Sequence, residues 1–450
     1  MKFVFRIICM LTLCCFGSTA FAGDQNERLN KLEEAMKDQQ LIIDQQQRTI
    51  NTLKEEMHQQ AGQANPPASQ VPASSKAGGL FSGSGLTNPN ISVVLDTFYY
   101  GSNLTNDELS RRGIPGFATE PLGQKKGFNV DSAELFIFSP IDPYLNLYAN
   151  LPVSEDGIEL EEAYVVTTAL PAGWQAKFGK FKSNISRLDA QHPHAWDFWD
   201  IALTYRAFLG NEGLGGEKGV QITYLPALPF YALVGAEILQ GENDRLFGES
   251  AEEEPHAFSF FVKASIDTGD NSTLYFGPSV LFGKTKNMNI VQGAEVRGDS
   301  ALYGMEAVWK WKPTNKQALT VQGEYLFLDQ SGDVTQTDPA TGDVTSDKLK
   351  RKQDGFYIQG IYRFYRWGIG ARYDVVTPFQ NTFKIADKQL EDARVIPWRT
   401  TESIEYNPSE FTRVRLQLSH DRSDTLTGRT NDEAILQFNF SVGAHPAHTF

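Results

Sequence analysis

From Ile91 onward the chain repeats one pattern: stretches of roughly 8 to 12 residues in which apolar and polar side chains alternate, bounded by turn residues. The clearest apolar series are Phe258/Phe260/Val262/Ala264/Ile266, Leu319/Val321/Tyr325/Phe327, Phe356/Ile358/Tyr362/Phe364 and Trp367/Ile369/Ala371/Tyr373/Val375. Ser259, Lys263, Gln322, Glu324, Gln359, Arg363, Arg372 and Asp374 fall between them. The last stretch, from Ala434, places Leu436, Phe438, Phe440 and Val442 on even positions and Gln437, Asn439 and Ser441 on odd ones. Period two sets one face of a strand in an apolar medium and the other in a polar one. Soluble sandwiches alternate too, with the apolar face inward, so periodicity alone does not separate them from a membrane barrel.

The connections do separate them. Short links at 139–143, 170–173, 226–229, 267–271, 313–316, 365–366 and 407–410 alternate with long ones at 101–127, 152–158, 183–216, 241–255, 285–300, 330–354, 378–400 and 422–432. Seven turns and eight loops predict sixteen strands with both ends on the short-turn side. Short turns on one rim and long loops on the other are the pattern of bacterial barrels, and a sandwich has no reason to sort its loops this way. The expected fold is therefore mainly β: a 16-stranded antiparallel transmembrane β-barrel over residues 91–450. Its terminal strand must pair with Ile91–Tyr100 to seal the wall. Trp174, Tyr224, Phe230, Trp309, Trp311, Trp367 and Phe411 lie near the short turns, where an interfacial girdle would sit.

The N-terminal ninety residues read differently. Lys2 and Arg6, the apolar run Phe3 to Phe16 and Ala20-Phe21-Ala22 predict a secretory signal peptide over residues 1–22. Cys9, Cys14 and Cys15 all fall inside it, without a lipobox-like approach, so the mature chain would have no disulfide and no thiolate metal site. Residues 23–60 are rich in Glu, Gln, Lys and Leu. Leu29, Met36, Ile43, Ile50 and Met57 fill one heptad seam, while Leu32 and Leu53 share the other with Gln39, Gln46 and Gln60. That predicts an α-helical periplasmic coiled coil about 55 Å long, self-associating through residues 29–57. Residues 61–90, with Pro66-Pro67, Pro72, Ser74-Ser75 and Gly78-Gly79, predict a flexible linker.

Charge narrows the partners. Without Lys2 and Arg6 the balance is 39 basic against 55 acidic residues, a net charge of −16, which argues against nucleic acid. Mean hydropathy is −0.35, and no segment after the leader has the ~18 apolar residues of a membrane helix. Outer-membrane lipid is the expected surrounding. A closed barrel would satisfy every backbone group there.

The candidate chemistry lies in the lumen, where sixteen strands leave room for an aqueous channel. The third long loop, from Ser183 to Gly216, carries Arg187, Asp189, His192, His194, Asp197 and Asp200. Inward positions of the strands carry Lys310, Arg363, Arg372, Arg413 and Arg415, with Glu306 and Glu324 among them. An acidic loop facing a basic wall would set a transverse field and bias ion passage. Alternatively, the wall charges pair with Glu306, Glu324 and Asp374 and keep the lumen hydrated. His192 and His194 flank Pro193, which predicts an extended segment with the imidazoles pointing apart, so no metal is expected there. His445 and His448 have opposite strand parity. Ser183, Ser186, His192 and Asp189 are close in sequence without the convergence a hydrolase needs, so no enzyme activity and no cofactor is expected.

Several of these segments resemble known proteins. A chain ending in a strand with Phe450 last looks like the closing strand of bacterial outer-membrane barrels, where that residue is an assembly signal read by the barrel assembly machinery. The long third loop is similar in position, length and acidic character to the loop that narrows the porin lumen. The runs 179–183 (GKFKS), 191–197 (QHPHAWD), 205–208 (YRAF), Gly213-Leu214 and Gly235-Ala-Glu237 resemble proteobacterial porin-like proteins with a coiled coil before the barrel, a group that includes phosphate-type and siderophore porins. That resemblance covers most of residues 90–450. It implies a trimeric outer-membrane channel for diffusive uptake of small solutes, including anions or ferric-siderophore complexes. A structural anchor or adhesion protein with a closed lumen is the other reading. The 68 residues from Gly23 to Asn90 leave no material for the plug of a TonB-coupled receptor.

Overall fold

In the computed structural model the described residues are 89–117, 124–248, 254–286, 294–337, 343–390, 396–424 and 428–443. The leader, the heptad segment, nearly all of the linker, His445, His448 and Phe450 lie outside them.

Sixteen strands form one closed antiparallel sheet. They are β1 (Asn90–Ser102), β2 (Gly127–Asp142), β3 (Leu145–Ser154), β4 (Glu162–Thr167), β5 (Trp174–Lys182), β6 (Gly216–Tyr224), β7 (Tyr231–Leu239) and β8 (Ala257–Gly269), followed by β9 (Ser272–Lys286), β10 (Ala294–Thr314), β11 (Gln317–Thr337), β12 (Val344–Phe364), β13 (Trp367–Ile385), β14 (Trp398–Ser409), β15 (Thr412–Asp421) and β16 (Asn431–Val442). Two-residue strand stubs, Gly157–Ile158 and Lys388–Gln389, decorate the second and seventh long loops. Each strand pairs with its neighbour in sequence. Closure comes from β1 on β16, in register from Val93 opposite Val442 to Ser102 opposite Glu433. The pairing expected of the terminal strand is present, and the inward Asp96 accepts from Gln437 across the seam at 2.6 Å.

Short and long connections alternate as the turn residues predict, but three loops are shorter than the sequence pattern suggests. Segments 285–300, 330–354 and 378–400 shrink because β10, β11 and β12 each run 21 residues and β13 runs 19. On the outward face of these long strands, apolar side chains give way to cross-strand ion pairs, Lys352–Asp329 at 2.7 Å and Lys348–Asp333 at 2.5 Å. Hydrogen bonding continues there after the apolar signal has ended. On the opposite side of the barrel β4 has only 6 residues and β5, β6 and β7 have 9 each.

The barrel wears its apolar face outside. Ile358 (50%), Ile369 (60%), Leu418 (49%) and Phe440 (42%) are exposed, whereas Gln437, Gln417, Gln359 and Glu324 point inward and are buried. Two outward candidates, Ala264 and Val375, are covered by their neighbours. Near the short turns Trp174 stacks on Tyr224 at 4.7 Å and Trp367 lies 4.6 Å from Tyr406. Phe230, Tyr365 and Phe411 are exposed at the same rim. Near the other rim Tyr99 meets Phe128 at 5.2 Å, and Phe356 stacks on Phe379. An apolar belt between two aromatic rings is a surface suited to hydrocarbon bounded by headgroups.

Candidate functional site

The third long loop, residues 183–215, does not stand over the barrel. It is folded into the lumen and sewn to the wall. Its first turn is fixed by the buried Glu237, which accepts from Ser183 Oγ at 2.5 Å and from the Asn184 N–H at 3.1 Å. Gly235, beside it, leaves room for the ring of Phe261; a Cβ there would lie 2.0 Å from that ring. Asp189 accepts from the Leu214 N–H at 2.6 Å, and Gly213 (φ +73°) makes room for that carboxylate. A short helix, α1 (Leu203–Phe208), is buried along its whole length. Its Tyr205 donates to Glu324 at 2.6 Å. Ile185, Leu188, Trp196, Ile201, Tyr205 and Phe208 then pack with Leu281, Leu302, Leu326 and Tyr357 of the wall into an apolar core inside the barrel. The family-like runs in the sequence are thus largely the residues that seat this loop.

Two groups of charges anchor it. On β12 to β15, Arg372 and Arg399 both hold Asp200, at 3.0 and 2.5 Å, and both also reach Asp374. The Arg372 guanidinium lies 4.6 Å over the Phe198 ring. Arg415 and Arg413 donate to the carbonyls of Trp196 and His194, and Arg363 holds Asp197 at 2.6 Å. Burial alone would push the Asp200 carboxyl up, but the two guanidiniums hold it down at about 2.

On β2 to β4 the signs reverse. His192 Nδ1 lies 3.0 Å from Glu161 Oε2 and its Nε2 lies 2.9 Å from Glu162 Oε2. His194 Nδ1 lies 2.9 Å from Glu134 Oε2. The two imidazoles are stacked, 5.6 Å apart and 16° from parallel. They do not point apart as an extended x-Pro-x segment suggests, because a 3-10 turn over Pro193–Ala195 brings both rings to one wall. Burial opposes charging of His192, yet Glu161 and Glu162 raise it to about 10. Asp189, buried beside other carboxylates, is pushed up to about 7.

The predicted lumen charges all face inward, but several are covered by the loop and do not line open water. Arg372, Arg415, Glu306 and Glu324 are buried; Glu306 pairs with Lys263, and Glu324 accepts from Tyr205 and Tyr357. An acidic loop opposite an uncompensated basic wall is therefore not what forms. The acids and guanidiniums are in contact, and their fields largely cancel. Missed by the sequence reading are Glu134, Asn150, Glu161, Glu162, Lys182, Glu237, Arg399 and Glu405. Lys182 and Glu237 fall within the family-like runs 179–183 and Gly235-Ala-Glu237, and for the others the acidic run Glu159, Glu161, Glu162 offered the one local signal.

Between loop and wall, on the short-turn side, remains a chamber of about 560 Å³. The aromatic rings of Phe136, Tyr148 and Tyr164 line it, with Lys177, Arg187 and Lys263 opposite the Glu134 cluster. Tyr148 and Tyr164 stack at 5.1 Å, and Lys177 Nζ sits 4.9 Å over Tyr164.

No family model matches the chain. An uncharacterised protein of Aquifex aeolicus is 39% identical over 387 residues, covering 80% of each chain. Among solved structures, OmpT, an outer membrane protein of Vibrio cholerae, overlays with a TM-score of 0.48 at 12% identity, over 81% of this chain and 100% of that one. The outer membrane channel DcaP of Acinetobacter baumannii also gives 0.48 at 12% identity, over 79% and 97%. The anion-selective porin of Comamonas acidovorans gives 0.46 at 10%, over 79% and 99%.

Proposed function

We propose that this chain, which belongs to one family with the Aquifex aeolicus protein, is an outer-membrane channel for passive passage of small solutes. The observation that carries the reading is the inverted barrel: a closed wall, apolar outside and polar inside, narrowed by a loop docked across its lumen. Passage of this kind needs no covalent chemistry. Solutes cross by filling the chamber, where Lys177 and Arg187 attract anions and the Tyr148/Tyr164 stack offers an apolar face. Small anions are accordingly the preferred class, and none of the described lumen residues favours a ferric-siderophore complex over them. Residues 29–57 would join three such barrels through a periplasmic rod, with 1–22 removed on export and Phe450 read during assembly.

Planar-bilayer recording of the refolded full-length protein tests this. Stable unitary steps are expected, with a reversal potential displaced toward anions that moves back when Lys177, Arg187 and Arg363 are changed to Gln. Unchanged selectivity sinks the anion preference. One observation favours a second reading, a closed anchor: the loop builds a continuous apolar core with the wall. Electrical silence from protein shown to be folded would support it. Deleting residues 23–60 should abolish oligomer bands while leaving the barrel folded.

A further inference from the structure

The acidic anchorage has a geometry that hydrogen bonding does not satisfy. Three polar groups converge on His192 Nδ1. Glu161 Oε2 lies 3.0 Å away, Glu134 Oε2 3.7 Å and Asn150 Nδ2 2.8 Å. Glu161 and Asn150 approach each other to 2.6 Å. If Nδ1 carries a proton for Glu161, it opposes the amide donor of Asn150. If it accepts from Asn150, its lone pair opposes the Glu161 carboxylate. No tautomer makes all three contacts favourable. Asn150 is 1% exposed and its Oδ1 has no hydrogen-bond partner, a costly state for a buried acceptor. Rotating that amide by half a turn exchanges its oxygen and nitrogen without moving the heavy-atom frame. It then brings Oδ1 to the same point as the three other lone pairs.

We propose that Glu134, Glu161, His192 and Asn150 form a binding site for a divalent transition-metal cation of the zinc type, reached from the lumen chamber. The donor set mixes one imidazole with carboxylate and amide oxygens, which suits such ions. Donors around a tetrahedral ion with bonds of 2.0–2.1 Å stand about 3.4 Å apart, so the present separations need change by only a few tenths of an ångström on average. The surrounding shell is already in place. His192 Nε2 faces Glu162 Oε2 at 2.9 Å, the carboxylate–histidine arrangement that leaves Nδ1 for a metal. Lys182 Nζ holds the other oxygen of Glu161 at 2.7 Å, and its backbone N–H holds the other oxygen of Glu162 at 2.7 Å. His194 orients Glu134 at 2.9 Å. Glu134, Asn150, Glu162 and His192 all line the chamber, so a hydrated cation has a path to the site. Bound there, the ion would clip loop to wall and reverse the local charge on the anions' route.

Equilibrium dialysis of the untagged, refolded full-length protein against zinc chloride, read by elemental analysis, tests the site. One zinc per chain is expected. Affinity should fall roughly 10- to 100-fold in Glu162→Gln, fall further in His192→Ala and in Glu161→Gln, and stay unchanged in His420→Ala. Far-ultraviolet circular dichroism establishes that each variant keeps its barrel. Absence of stoichiometric zinc in the folded wild type, or equal retention by His192→Ala and Glu161→Gln, overturns the proposal. Bilayer recording of the same samples separates the two readings. Conducting protein that holds no zinc overturns the site alone, and silent protein that holds zinc in this pattern supports the site while removing the channel.

Discussion

The third loop is tied to the barrel at two places, and the two ties differ in which partner carries which charge. On the β12–β15 side the wall supplies permanent cations, and the loop supplies Asp197, Asp200 and backbone carbonyls. On the β2–β4 side the wall supplies carboxylates, and the loop supplies imidazoles whose charge depends on a proton. Guanidinium geometry makes the first tie multidentate: Arg372 alone reaches Asp200 at both its side chain and its carbonyl. The second tie holds only while His192 is charged or a cation stands in for its proton. One loop therefore has a fixed end and a conditional end.

Removing Asp200 should do the most damage to this asymmetry. Asp200→Ala leaves Arg372 and Arg399 buried with half their compensation, and about 3–5 kcal/mol of stability should be lost. Urea unfolding in micelles measures it; a loss near zero would mean that Asp374 alone suffices. Glu161→Gln is next. It strips the charged partner from His192 and Lys182 but leaves Glu134 and Glu162 nearby, so about 1–3 kcal/mol is expected in metal-free buffer.

Titration separates the two ends without mutation. His192 has a folded-state value of about 10, above the ordinary imidazole range, so its stabilisation is complete below pH ~6.5 and disappears as pH rises through 10. Asp200, held at about 2, stabilises above pH ~4 and loses its contribution as pH falls through 2. Proteolysis of the loop in chelator should therefore quicken first at the alkaline end, near His192, while the arginine end stays protected. Cleavage that begins near Asp200 above pH 9 would contradict this order. The smallest effect belongs to Arg363→Gln, whose side chain is 43% exposed: no more than about 1 kcal/mol, with a visible change only in ion selectivity.

The strand count and the sorting of turns from loops were legible in the sequence, because each leaves a local signature of alternation, turn residues or loop length. The in-folding of the third loop came only as what its likeness to the porin loop implies. Strand length was not legible. Beyond Phe327 the outward positions of β11 become Asp329, Ser331 and Asp333 while Leu328 and Val334 turn inward, so the apolar-outward alternation that marks the other strands is lost and the stretch reads as loop. The arginines on inward positions were visible, but not that Asp197 and Asp200 would meet them. Least legible was the acidic anchorage. Glu134, Asn150 and Glu161 stand 31 to 58 positions before His192, and only the pairing of β2, β3 and β4 together with the folding of the loop against them brings them to one ring.

The uneven height of the wall has a further meaning for anything that approaches the long-loop rim. Past Phe327, β11 continues ten residues to Thr337, about 34 Å along the strand at 3.4 Å per residue. Its neighbours β10 and β12 rise with it, while the rim over β4 to β7 stays low. Such a barrel has a screen along one flank and a doorway along the other. A bulky particle would meet the screened side first, and small solutes would reach the mouth obliquely over the low sill.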